Sequence, residues 1–186
     1  HAVISADYAR QRKLPSGAEP ICGIFSHIGA VALNGVHDAN IRIGDTVAVF
    51  GMGVLGQIVL QAAVKSGARV IAVDLHASRL QKASENGAWQ TLNPRSDKVA
   101  EAIKDLTEGR GADVVIEVTG AVSALNEAIR SAAYSSRVVA MGFFQGDASG
   151  LILGEEFHHN RINLVCSQIS GVAPEIQHRW TKPRLW

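Results

Sequence analysis

The stretch Thr46-Val-Ala-Val-Phe-Gly-Met-Gly-Val-Leu-Gly56 decides how this chain is read. Thr46 to Phe50 is a short, mostly apolar run, the pattern of a strand buried on both faces. Gly51-Met52-Gly53-Val54-Leu55-Gly56 then has the spacing G-x-G-x-x-G. Gln57 to Ser66 keeps helical spacing, and Gly67 is a natural stop. The three glycines have separate tasks. Gly51 permits a tight turn, Gly53 lets the backbone approach a pyrophosphate, and Gly56 lets helix and strand pack closely. The first N–H groups of the helix, with the positive end of its dipole, would face the phosphates. Glycine-rich turns are common by themselves. Here a second strand, Ala68 to Asp74, follows and ends in an acid. Asp74 lies 18 residues past Gly56, close to the spacing of a carboxylate that binds the adenosine ribose. The bland alternatives for Asp74 are a helix N-cap or a solvated loop acid. Strand, glycines, helix, strand and acid in this order predict a dinucleotide site.

From Thr46 onward the pattern alternates. Strand 46–50 leads to helix 53–66, strand 69–74 to helix 78–86, and a short strand near 90–92 to helix 97–108. Strand 113–118, helix 122–133, strand 137–141 and a last strand, 163–169, complete the set. Ser78 is a candidate N-cap and Gly87 a C′ residue. Such alternation forces parallel pairing through right-handed crossovers. The predicted fold class is α/β, a doubly wound parallel six-stranded Rossmann sheet in the order 3-2-1-4-5-6. A ligand crevice then belongs at the carboxyl ends of the strands, at 51–55, 74–79, 119–120 and 142–145.

The flanks read differently. Residues 1–19 hold one possible short strand, His1 to Ala6, and a basic irregular stretch, which suits the end of another domain plus a linker. Residues 20–43 are mainly helical, and 20–171 form the Rossmann domain. Residues 172–186 carry Trp180 and Trp186 with no evident core of their own, and are expected to return toward that second domain. The chain opens at His1, not Met, which suits a piece of a longer chain or an added remnant. Apolar residues are 47% and charged residues 19% of 186, enough for one ordinary core. The net charge of +1 gives no reason to expect nucleic acid or an acidic membrane as partner. No apolar run reaches transmembrane length. Cys22 and Cys166 show no ligand spacing, so buried free thiols in a reducing cytoplasm are expected.

Several stretches together resemble the cofactor domain of the medium-chain dehydrogenases/reductases. They are Leu14-Pro15, Gly44 to Gly56, Gly67 to Asp74, Asn86-Gly-Ala88, Leu106 to Asp113, Val118-Thr-Gly120 and Val138 to Gly142. The resemblance covers about residues 14 to 170 and is nearest to the alcohol, sorbitol and threonine dehydrogenase branch. It implies NAD-linked oxidation of an alcohol or reduction of a carbonyl. It also implies that Asp74 binds the ribose hydroxyls with Leu75 and Arg79 beside the adenosine. Thr119-Gly120 and Gly142-Phe143-Phe144 would line the nicotinamide half. Asp74 would repel a 2′-phosphate, which favours NAD over NADP, while His76 and Arg79 pull the other way. The resemblance further implies a zinc-bearing catalytic domain whose Cys and Gly-His-Glu segments are not in this sequence. No zinc ligand and no catalytic residue is therefore assigned here. In the family the last strand pairs with its twin, which implies a homodimer through 163–169. A stand-alone nucleotide-sensing or assembly module would share the same fingerprint.

Three further groups invite a chemical reading. Glu155-Glu-Phe-His-His159 lacks a metal-ligand spacing and suits a polar loop or helix cap. His37-Asp38, neighbours on a helix, suit a solvated pair. Glu117, inside a buried strand, needs a backbone or Arg partner, or else contacts the cofactor amide.

Overall fold

The computed structural model describes residues 3–10, 13–169 and 172–180. Six parallel strands form one sheet in the order β3-β2-β1-β4-β5-β6. They are β1 Thr46–Phe50, β2 Arg69–Val73, β3 Gln90–Leu92, β4 Ala112–Glu117, β5 Ala132–Ala140 and β6 Asn163–Cys166. The long helices are α3 Ser26–Ala39, α4 Val54–Lys65, α5 Ala77–Glu85, α6 Val99–Leu106 and α7 Val122–Ser131. This is the doubly wound α/β architecture that the alternation predicts.

Side-chain alternation along β1 explains the two layers. Val47 and Val49 face a core with Val36 of α3, Leu60 of α4 and Leu80 of α5. Ala48 and Phe50 face the opposite core, with Ile103 of α6 and Ile129 of α7. All five residues of β1 are buried, as a central parallel strand requires. β1 pairs with β2 on one side and β4 on the other, so the strand order reverses between β1 and β4. No helix among the described residues is long and apolar enough to cross a membrane.

Several boundaries differ from the sequence reading. Residues 20–43 are mainly helical, as expected, but in two pieces. A short α2, Pro20–Gly23, precedes α3, and Asn40 closes α3 in the left-handed conformation at φ 51°. α5 begins after His76, so Ser78 lies inside the helix and is not its cap. α7 ends at Ser131 because Ala132 already pairs with Ala112, and β5 therefore starts five residues earlier than 137. β6 stops at Cys166 instead of Ile169. Its partner β5 ends at Ala140, whose carbonyl takes the last bond, from Ser167 N at 3.0 Å. Of the possible strand at 1–6, residues 1 and 2 lie outside the described residues, as do Arg12 and Trp186. Residues 3–5 are irregular, and Ala6–Arg10 form a short helix, α1, with nothing buried. That segment has no strand beside it to pair with.

Trp180 also departs from expectation. It is partly buried on this domain, with its ring centroid 4.5 Å from that of His37 on α3. Ala173 is 2% exposed, and Glu175 lies 3.7 Å from the Arg137 guanidinium of β5. The segment 172–180 is thus laid along α3 and β5.

Gly56 sets how close α4 lies to β1. A Cβ there would overlap the carbonyl oxygen of Gly51. A Cβ at Gly53, whose φ is −69°, would meet nothing within 4 Å. Gly56→Ala should therefore lower the unfolding free energy by about 3 kcal/mol, an overpacking cost. Gly53→Ala should stay within about 1 kcal/mol of the parent, since neither space nor φ opposes it. Urea unfolding of the two variants checks this, and equal losses would refute the packing account.

Candidate functional site

β1 ends at Phe50, and Gly51 turns the chain at φ 99° into α4. No side chain caps the N-terminus of α4. Its first-turn N–H groups therefore remain available to an anion, over an open surface at Gly53. One strand away, Asp74 follows β2 and is 7% exposed. Its Oδ2 accepts from Met52 N at 2.7 Å, and its Oδ1 accepts from His76 N at 2.8 Å. Each oxygen keeps a further acceptor position for a hydroxyl. Arg79 Nη1 lies 3.5 Å from the same Oδ2, on a half-exposed side chain. Asp74 is thus neither a helix cap nor a solvated acid; it ties β2 to the glycine turn.

A cleft of about 730 Å³ opens at these carboxyl ends. Its walls include Gly51, Asp74, Leu75, Arg79 and Thr119. A second hollow of about 610 Å³, on the other side of the turn, includes Met52, Gly53, Val54 and Arg79. Leu55 is half-buried behind the turn and Gly56 is buried against it. The sequence reading missed the far wall of the larger cleft: Pro94, Asp97, Lys98, Ala121, Ser123 and Glu127. The signal was present, because Pro94 and Asp97 follow β3, whose carboxyl end points to the same crevice.

Gly120, Gly142, Phe143 and Phe144 come together at the ends of β4 and β5. Gly142 N donates to Glu117 O at 3.1 Å, and a Cβ at Gly142 would overlap Gly120. Phe143 is 82% exposed, whereas Phe144 is half-buried against the core beneath α7. Glu117, the last residue of β4, is fully buried. Its carboxylate accepts from the Thr119 hydroxyl, from Thr119 N at 2.6 Å and from Gly120 N at 3.2 Å. Burial pushes the Glu117 carboxyl above its ordinary value, and the bonds from Thr119 and Gly120 oppose that push.

The family model for zinc-binding dehydrogenases matches residues 54–182. This chain belongs to the zinc-binding dehydrogenase family. It is similar to the D-guloside 3-dehydrogenase of Escherichia coli K12, with 38% identity over 94% of this chain and 50% of that protein. Among solved structures it resembles the 2R,3R-butanediol dehydrogenase of Bacillus subtilis, at 28% identity and a TM-score of 0.76, over 93% of this chain and 51% of that one. A Sinorhizobium meliloti structure described as a zinc-binding dehydrogenase bound to NADP matches at 30% identity and a TM-score of 0.78, over 89% of this chain and 48% of that one. The chain spans about half the length of the curated relatives it matches. Family and coverage agree on the cofactor-binding domain of a medium-chain dehydrogenase/reductase.

A zinc-binding dehydrogenase invites a test for zinc ligands. Among the described residues no three His, Cys, Asp or Glu side chains gather to hold a metal. The described side chains do not fit a zinc site. Glu155 to His159 form an irregular turn in which Glu156 pairs with Arg130 at 3.2 Å, while the rings of His158 and His159 meet edge-on at 5.5 Å. Cys22 and Cys166 are free, as expected, but exposed and not buried. α2 buries nothing, and Cys166 ends the edge strand β6.

His37 and Asp38 are not a solvated pair. Asp38 is 9% exposed and accepts from Asn34 Nδ2 at 3.1 Å, and its backbone carbonyl accepts from Arg137 at 2.7 Å. Both belong to the face of α3 that the segment 172–180 covers. Burial lowers the His37 pKa; Asp38 opposes this and Arg179 reinforces it. Burial raises the Asp38 carboxyl against the Ser167 bond. A histidine whose pKa is lowered by folding binds fewer protons folded than unfolded, so stability falls as pH drops below its unfolded value. The raised Asp38 and Glu117 carboxyls act in the opposite sense, so the His37 contribution is read as a difference: the stability of the parent relative to His37→Gln should fall as pH drops through about 6.5. An unchanged pH slope in the variant would show that the loss arises elsewhere.

Proposed function

We propose that this chain is the NAD-binding half of an alcohol- or polyol-type dehydrogenase. The observation that carries the reading is the pairing of the uncapped α4 N-terminus with the buried Asp74 carboxylate. Both lie at the reversal point of the sheet, and Met52 N joins them directly. The residues of the turn, Gly51 to Gly56, would hold the pyrophosphate. Asp74, Leu75 and Arg79 would hold the adenosine ribose. Thr119, Gly120, Gly142, Phe143 and Phe144 would line the second nucleotide. The bound nicotinamide supplies the hydride acceptor at its C4 carbon. The chain's own contribution is to bind, orient and shield that ring. The substrate, an alcohol or carbonyl compound, would be gripped by residues beyond this chain, with zinc as the Lewis acid they would hold. Residues 1–19 would be the end of that second domain and a linker, and 172–186, whose described part lies along α3 and β5, would start the return toward it.

NAD is favoured over NADP. Asp74 has both oxygens already engaged by backbone N–H groups, so it cannot swing away from a 2′-phosphate. The cations beside it, Arg79 and His76, soften the discrimination, and one relative of known structure is described as NADP-bound. Calorimetric titration of the chain should show NAD binding at least about tenfold tighter than NADP. Equal or tighter binding of NADP would reverse the assignment, and no binding of either would sink the cofactor reading.

We also propose a cytoplasmic homodimer that joins two β6 strands. β6 is a sheet edge whose Leu164 and Val165 are only half-buried. An apolar edge strand is otherwise an aggregation hazard. Light scattering at micromolar concentration should give twice the chain mass; a monomer would count against the pairing.

A further inference from the structure

We infer that Glu117 is the positioning residue for the nicotinamide half of the cofactor site. It would act through the turn at Thr119-Gly120 and through Gly142. The inference rests on the nicotinamide-cofactor reading above. A doubly wound sheet offers one mononucleotide site over β1-β2-β3 and a second over β4-β5-β6. Asp74 serves the first. Glu117 stands at the centre of the second, beside Phe50 in the register of β1 and beside Ala140 in that of β5.

A buried carboxylate is an expensive choice for the end of a strand. Its desolvation is not offset here by a cation, for none acts on it among the described residues. An apolar residue of similar size would serve packing better. What the carboxylate provides instead is a single acceptor for several donors of one turn. It grips Thr119 N, the Thr119 hydroxyl and Gly120 N together. The Thr119 hydroxyl in turn accepts from Ala121 N at 3.0 Å, which carries the hold to the start of α7.

The same group fixes the neighbouring turn. A Cβ at Gly142 would lie 2.6 Å from Glu117 Oε2, and one at Gly120 would lie 2.7 Å from Phe143 O. The β4 and β5 exits therefore lie against each other, with the carboxylate close to Gly142 and the Glu117 carbonyl accepting from Gly142 N. The Thr119 methyl group lies where a Cβ on Gly51 would be 2.7 Å from it, so the glycine turn registers against this unit as well. Thr119 forms part of the cleft wall. Motion of this turn would move the second nucleotide's wall while leaving Asp74 and Arg79 in place.

The test separates the two halves of the cofactor. NADH and ADP-ribose share the adenosine and both phosphates, and only NADH carries the nicotinamide ring. Glu117→Gln keeps the shape but removes the charge and one of the two acceptor oxygens, so an amide NH2 must face either the Thr119 donors or Gly120 N. Titrated into the purified chain, NADH should bind about tenfold more weakly to E117Q than to the parent, while ADP-ribose should change by less than about twofold. Glu117→Asp should recover part of the NADH affinity. Equal weakening of both ligands would reduce Glu117 to a structural residue and overturn the inference. No weakening of either would overturn it too. Failure of the parent chain to bind either ligand would sink the cofactor reading itself, a result seen without any variant. If E117Q does not fold, Thr119→Val removes only the gripped hydroxyl and must show the same split between NADH and ADP-ribose.

Discussion

The contact on which the rest depends is that of Gly56 on α4 with the carbonyl of Gly51 at the end of β1, where even a Cβ would overlap the oxygen. No side chain fits between them, so the helix begins directly over the end of the central strand. That contact places the uncapped N–H groups of α4 at the reversal point of the sheet. The crevice exists because β2 and β4 leave β1 in opposite directions, and α4 starts at its rim. Widening the contact by one methyl group would lift the helix and move its uncapped N–H groups with it.

Two buried carboxylates then organise the rim, and neither depends on a fully engaged cation. Asp74 is satisfied by Met52 N and His76 N, with Arg79 at the longer distance of 3.5 Å on a half-exposed arm. Glu117 is satisfied by donors of the Thr119-Gly120 turn. In both cases an acid at the end of a strand collects N–H groups that the turns around it leave unpaired. Hydrogen bonds of this kind hold a loop to a defined position without the rotamer freedom of a long basic side chain. The two ends of the crevice thereby gain comparable anchors on opposite sides of β1.

The outer wall is held differently. Arg130 of α7 reaches Glu101 of α6 at 2.8 Å, Glu127 at 2.9 Å and Glu156 of the irregular turn at 3.2 Å. Its side chain is one-third exposed, so solvent screens these pairs and their net contribution is modest. Their effect is to align three elements at the edge of the cleft. Glu127 and Arg130 are i,i+3 neighbours on α7, and only folding brought residues 101 and 156 to them.

The alternation of apolar strands with helical spacing determined the sheet, its order and the place of its crevice, because a parallel strand buried on both faces leaves few other arrangements. The glycine spacing and Asp74 were legible for the same reason: each answers a local steric or charge requirement written in consecutive residues. Other features were decided by tertiary structure alone. Trp180 packs on His37, Asp38 is buried, both cysteines are exposed, and Glu127 walls the cleft. Each depends on which distant segment lies alongside, and local spacing carries no record of that. Glu117 stood between the two cases. Its burial could be read from the apolar run of β4, but its donors could be named only once the turn had closed over it.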